Sequence, residues 1–424
     1  LAANEHEYTI DINTRQQEIY GFGAATAWYQ GWLIEHPNKD EIYDLIFKEL
    51  GIDILRLQNW YGKADDIGAE DPEIVQAAEE SLGEEITILM TSWVPPVELK
   101  SNDDLGDGGT LKKEDGEYIY DQFADYWLES LQAYKEIGIE PTYISIQNEP
   151  DYHAEWNSNL LDPEENEENA GYGKALDAVY NKLHANMDNP PKLLGPETLG
   201  IGNNTVQKYI AGLEDPEQLD GIAYHLYGGG DASNPSQYNH NLNAIAEEFD
   251  DMPIFQTEFN RGTGFETAWQ MYTALVEGHV NSYLFWDLVW DGNGLVTLEF
   301  PWDKNRWDTE KGYFRTDHYY SMLHYSKYIE PGYRRVDVDE GHRKVKMSAF
   351  ISPDEDELVV VFLNTFLQDL TVNIKIPGFD YSETETYQTI YRDGENKFEN
   401  IGAFPEDNSF TIPMRSAITV RFLK

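Results

Sequence analysis

The chain has 424 residues, 41% of them hydrophobic and 13% aromatic, which is enough to bury a sizeable core. Its 78 acidic side chains face only 30 basic ones; the formal net charge of −48 repels polyanions and excludes binding along a nucleic-acid backbone. So acidic a surface on so apolar a chain points to a salt-rich habitat rather than to disorder, and the absence of cysteine excludes disulfides, thiolate metal sites and cysteine nucleophiles.

In chain order, Leu1-Ala2-Ala3-Asn4 reads as the start of a mature secreted product, without a basic-then-apolar leader. Residues 7–12 alternate and are expected to pair with strands near the C-terminus. From 19 to about 327, short β-branched or aromatic runs alternate with amphipathic stretches. Eight strands are predicted at 20–25, 53–58, 86–92, 141–148, 192–195, 221–225, 254–258 and 282–288. Helices are predicted at 40–50, 73–82, 120–137, 173–187, 206–213, 242–249, 265–277 and 318–328. The stripe of Phe123, Trp127, Leu131 and Tyr134 gives the third helix one buried face. The acidic segment 162–168 reads as a solvated loop, with calcium binding as the alternative. After Pro331-Gly332 the rhythm changes to strands alone, at 334–338, 345–351, 358–363, 371–376, 386–391, 409–412 and 417–423. The expected fold is α/β: a (β/α)8 TIM barrel over 13–330, with a β-sandwich side domain built from 1–12 and 331–424. No apolar run approaches the roughly 18 residues of a spanning helix, so no membrane partner is expected.

Two strand ends carry chemistry. Strand four ends Gln147-Asn148-Glu149-Pro150 and strand seven ends Thr257-Glu258-Phe259. Barrels of this type place their active sites at the C-terminal ends of the strands, and strands four and seven face each other across the mouth. Two carboxyls in different protonation states can protonate a departing glycosidic oxygen and stabilise an oxocarbenium ion. Their separation distinguishes a retaining pair, at roughly 5–5.5 Å, from an inverting one, at roughly 6.5–9.5 Å.

These motifs resemble the strand-four and strand-seven signatures of the large glycosidase clan with (β/α)8 barrels. Together with Gly21-Phe22-Gly23-Ala24-Ala25, Thr91-Ser92-Trp93-Val94-Pro95-Pro96 and His225-Leu226-Tyr227, the chain resembles glycoside hydrolase family 30, most closely its bacterial xylanases. The resemblance implies Glu149 as acid/base, Glu258 as nucleophile of a retaining mechanism, and Asn148 as the partner of the sugar 2-hydroxyl. It implies Trp93, Tyr227 and Trp286 around the attacked sugar, with Trp60 as a further candidate. Trp290, Trp302 and Trp307 are expected as additional rings, either widening stacking or narrowing one end of the cleft. Family members that demand a glucuronic acid branch meet it with an arginine just after strand eight. Here 286–294 contains no basic residue, and Asp287 and Asp291 would face the branch instead; Arg306, further along, is the possible substitute.

Other signals fail. Gly21-Phe22-Gly23 lacks the third glycine of a dinucleotide fingerprint, Thr26 standing in its place, and no G-x-S-x-G, P-loop or H-E-x-x-H occurs. The histidines show no metal spacing, and His225 is expected to hydrogen-bond rather than to ligate, so neither metal nor cofactor is expected. The reading is a secreted, monomeric, salt-adapted endo-β-1,4-xylanase acting on xylan without strict glucuronate dependence. The alternatives are an exo-acting xylanase, a β-1,6-glucanase, a glucosylceramidase-like enzyme or a non-catalytic carbohydrate-binding protein.

Overall fold

A computed structural model describes residues 5–28, 30–63, 67, 70–339 and 341–424. Eight parallel strands close into a barrel in chain order: Gly21–Ala25, Ile54–Gln58, Thr87–Thr91, Tyr143–Ser145, Lys192–Thr198, Gly221–His225, Ile254–Glu258 and Ser282–Phe285. Nearly every strand residue is buried, as parallel strands covered by helices require. Gly23 is needed where the first two strands meet, because a Cβ there would lie 2.1 Å from the Ile54 carbonyl oxygen. The Gly-Phe-Gly segment thus serves barrel closure.

The helices stand near their predicted positions. Tyr120–Glu136 buries Phe123, Trp127, Leu131 and Tyr134, the stripe read from the sequence. Gly264–Val276 starts with a capping box in which Thr263 and Glu266 satisfy each other's backbone N–H groups. No helix among the described residues is long and apolar enough to cross a membrane.

The N-terminal strand and the strands after residue 333 form a nine-stranded, mostly antiparallel sheet around a core of its own, which includes Tyr8, Ile10, Val336, Val360, Val372, Ile412 and Val420. The N-terminal strand, Glu5–Glu18, is longer than predicted and works in two halves. Residues 5–9 run parallel to Leu370–Lys375, and residues 10–18 run antiparallel to Arg334–Val338. Pairing continues to Glu18 rather than ending at Ile12, which leaves only Ile19 and Tyr20 before the first barrel strand. After barrel strand eight a small sheet appears that was not predicted, Val289–Trp290, Val296–Leu298 and Tyr313–Arg315, whose members are too short to show alternation.

Candidate active site

Glu149 and Glu258 sit at the C-terminal mouth of the barrel with 7% and 8% of their surface exposed. Carboxylate oxygens of the two, together with a ring nitrogen of His225, all lie within 4.8 Å of one another. Glu258 closes strand seven directly, whereas Glu149 follows strand four in a left-handed backbone conformation, φ +43°, that costs a non-glycine residue energy. The Glu149 N–H donates to the Glu197 carbonyl at 2.9 Å and fixes that geometry.

Behind the pair lies a buried charge network in which His225 hydrogen-bonds as expected, while Arg56 and Glu197 had gone unread in the sequence. Arg56, in strand two, is fully buried and donates to Glu258 Oε2 at 2.7 Å and to Asn148 Oδ1 at 2.8 Å, while its guanidinium pairs with Glu197 at 3.1 Å. Arginine only donates, so Asn148 must turn its oxygen inward, which frees its amide donors for the cavity. Tyr227 donates its hydroxyl to Glu258 Oε1 at 3.0 Å. His225 places Nδ1 2.8 Å from Glu149 Oε1 and Nε2 3.4 Å from Glu197 Oε2.

Burial raises the Glu149 carboxyl to about 7; the His225 hydrogen bond works against that rise and the Glu258 charge adds to it. Burial opposes charge on His225, but Glu258 and the hydrogen bonds to Glu149 and Glu197 prevail and lift the imidazole to about 9. Glu197 is also desolvated, yet Arg56 and His225 hold it well below the usual carboxylate range. The site therefore juxtaposes a neutral acid at Glu149 with a cationic His225. Glu149, His225 and Glu258 are close enough to hold a metal ion, but Arg56 already occupies one side of Glu258. Two carboxylates of 162–168 are engaged separately: Asp162 accepts from Asn166, and Glu165 accepts from Tyr120 and pairs with Lys174.

A cavity of about 550 Å³ opens over the pair, and Asn148, Trp93, Tyr227, Trp286 and Trp290 of the candidate residues line it. Trp93 lies beneath the Arg56 guanidinium at 4.5 Å, and its loop is pinned by Lys63, which donates to the Val94 carbonyl at 2.7 Å. Trp60 does not line the cavity. Trp28 takes that place, with Trp60 behind it in edge contact at 5.7 Å. Also missed were Tyr152 and Trp156 after strand four, and Asn260 and Arg261 after strand seven. They lie on loops without periodicity, where no pattern marks an inward-facing side chain.

The expected contacts to a branch are also corrected. Asp287 is buried, with one carboxylate oxygen accepting from the Leu288 N–H, and cannot face a substituent. Arg306 stacks on Phe300 at 3.7 Å, outside the cavity. Among the described residues, the cation that lines the cavity is Arg261, exposed and 5.4 Å from the centre of the Tyr227 ring.

Residues 50–164 match the family model described as the glycosyl hydrolase family 30 TIM-barrel domain. Glucuronoxylanase XynC of Bacillus subtilis (strain 168) is 23% identical over 392 residues, covering 86% of this chain and 79% of its own. Lysosomal acid glucosylceramidase of Mus musculus is 23% identical over 360 residues, covering 78% of this chain and 66% of its own. Among solved structures, the glycoside hydrolase family 30 subfamily 8 xylanase Xyn30A of Clostridium acetobutylicum shares the fold with a TM-score of 0.76 at 20% identity, covering 99% of this chain and 100% of that one.

Proposed function

We propose that this chain, which belongs to glycoside hydrolase family 30, is a secreted retaining endo-β-1,4-xylanase that works as a monomer in salt-rich surroundings and does not strictly require glucuronate branches. The observation that carries the reading is the approach of the Glu149 and Glu258 carboxylate oxygens within 4.8 Å, close to the spacing of retaining pairs and too short to leave room for an attacking water between them. In the first step the Glu258 carboxylate bonds to the anomeric carbon as the glycosidic C–O bond breaks, and the Glu149 proton passes to the departing oxygen. In the second, Glu149 takes a proton from water, the resulting hydroxide bonds to the same carbon, and the Glu258 ester bond breaks. A neutral Glu149 suits the first step, and the Asn148 amide is free to meet the 2-hydroxyl of the attacked sugar.

The test is proton NMR of the product formed from unbranched xylo-oligosaccharides. The β-anomer should appear first, and Glu149→Ala and Glu258→Ala should each abolish release; initial formation of the α-anomer, or unchanged activity in either variant, overturns the reading. A second reading, preference for acid-decorated xylan, is favoured by Arg261 in the cavity and by the likeness to glucuronoxylanase XynC.

A further inference from the structure

The segment that follows barrel strand eight builds a second concavity beside the catalytic one. Its three strands and the loop between them surround a space of about 430 Å³ whose wall includes Asp291, Asn293, Thr297, Phe300, Trp302 and Phe314. Trp302, which the structure places in this hollow and not in the catalytic cleft where it was expected, is 60% exposed, and Phe314 44%. Of the six exposed large hydrophobic side chains among the described residues, these two share this one hollow, and each forgoes the stabilisation that burial would bring. Neighbours hold the Trp302 ring: Trp32 meets it at 5.4 Å and Phe300 edge-on at 6.2 Å. The loop itself is tied down by the Glu299 carboxylate, which accepts from the backbone N–H groups of Asp308 at 2.6 Å and Thr309 at 3.1 Å. The hollow is therefore built to present an uncovered indole, with carboxylate and amide groups around it.

We propose that this hollow is a second saccharide-binding site, holding an uncharged stretch of β-linked glycan with Trp302 stacked on a sugar face. The inference rests on the reading of the chain as a polysaccharide hydrolase. Flat rings match the apolar faces of pyranoses, and Asp291 and Asn293 supply acceptors and donors to hydroxyls, whereas the carboxylates repel an anionic chain. Continuity supports a glycan as the occupant. Trp290 lines the catalytic cavity and its neighbour Asp291 lines this one, so consecutive residues of one segment wall the two spaces.

Native gel electrophoresis through immobilised glycans tests the proposal. Glu258→Gln protein, which should leave the glycan uncut, would be run through arabinoxylan, β-1,6-glucan and hydroxyethylcellulose with and without Trp302→Ala. We expect retardation in at least one gel, a several-fold loss of that retardation with Trp302→Ala, and recovery with Trp302→Tyr. Trp302→Ala in the otherwise unaltered enzyme should turn over a short aryl xylobioside at the normal kcat/KM. Equal retardation of both proteins, retardation in none of the gels, or a parallel loss of short-substrate turnover overturns the site. If a glycan other than xylan gives the Trp302-dependent retardation and xylan is not cut, the second site stands and the xylanase reading falls. If xylan is cut and Trp302→Ala migrates unchanged, the reverse holds.

Discussion

His225 Nδ1 lies 2.8 Å from Glu149 Oε1, so a buried imidazolium fixes one oxygen of the acid and leaves the other to carry the proton. The pH response follows from that contact. Glu149 titrates near 7, so its acid form is populated below that pH, and kcat/KM should fall about tenfold per pH unit above it. His225 stabilises the carboxylate form of Glu149, and its removal should move the alkaline limb to higher pH. The pH profiles of wild type and His225→Gln on an aryl xyloside check this; superimposable limbs would count against it.

The same imidazole links stability to pH. Its folded-state value is raised from 6.5 to about 9, so its contribution is complete below about 6.5 and is lost as pH rises through about 9. The thermal midpoint of the wild type relative to His225→Gln should therefore decline between pH 7 and 9. Differential scanning calorimetry at several pH values would show it.

Arg56 neutralises two buried carboxylates at once. Arg56→Met leaves Glu197 and Glu258 uncompensated and should destabilise the fold by about 3–5 kcal/mol, as removal of one partner from a buried ion pair does. Lysine cannot reproduce the forked contacts to Glu258, Glu197 and Asn148, so Arg56→Lys should recover only part of the loss. Urea denaturation with and without an added Glu197→Gln change would show whether the loss is electrostatic.

Arg261→Ala should lower the ratio of rates on glucuronoxylan and arabinoxylan while leaving neutral xylo-oligosaccharides unaffected. An unchanged ratio would mean that this cation does not meet the branch.

With a net charge of −48, self-repulsion should ease as the Debye length contracts from roughly 10 Å at 0.1 M to roughly 3 Å at 1 M salt. The melting temperature should rise by several degrees over that range. A flat or falling curve would reject salt adaptation.

The barrel was legible because each of its strands is an apolar run bounded by turn residues, and Glu149 and Glu258 were legible because they interrupt such runs at their ends. Arg56 was not, since a charge inside a buried strand carries no pattern and gains meaning only from partners more than 90 residues away. Glu197 lay hidden behind Gly195-Pro196, which reads as the end of a strand, although the strand continues through Thr198. The cavity wall was half legible. Rings flanking recognisable motifs, such as Trp93 and Trp286, were found, whereas Trp28, Trp156 and Arg261 depend on how separate loops converge.

The long N-terminal strand carries a consequence for biosynthesis. Ile10 pairs with Val338, and Tyr8 pairs with Ile374, so Glu5–Glu18 leaves the ribosome long before its partner strands exist. At roughly 5–20 residues per second the delay is on the order of tens of seconds. During that time a strand carrying Tyr8, Ile10 and Ile12 has neither edge covered, although the barrel beside it can already be closing. The acidic side chains Glu7 and Asp11, which alternate with that apolar face, put like charges against another nascent copy of the waiting strand and so oppose its self-pairing.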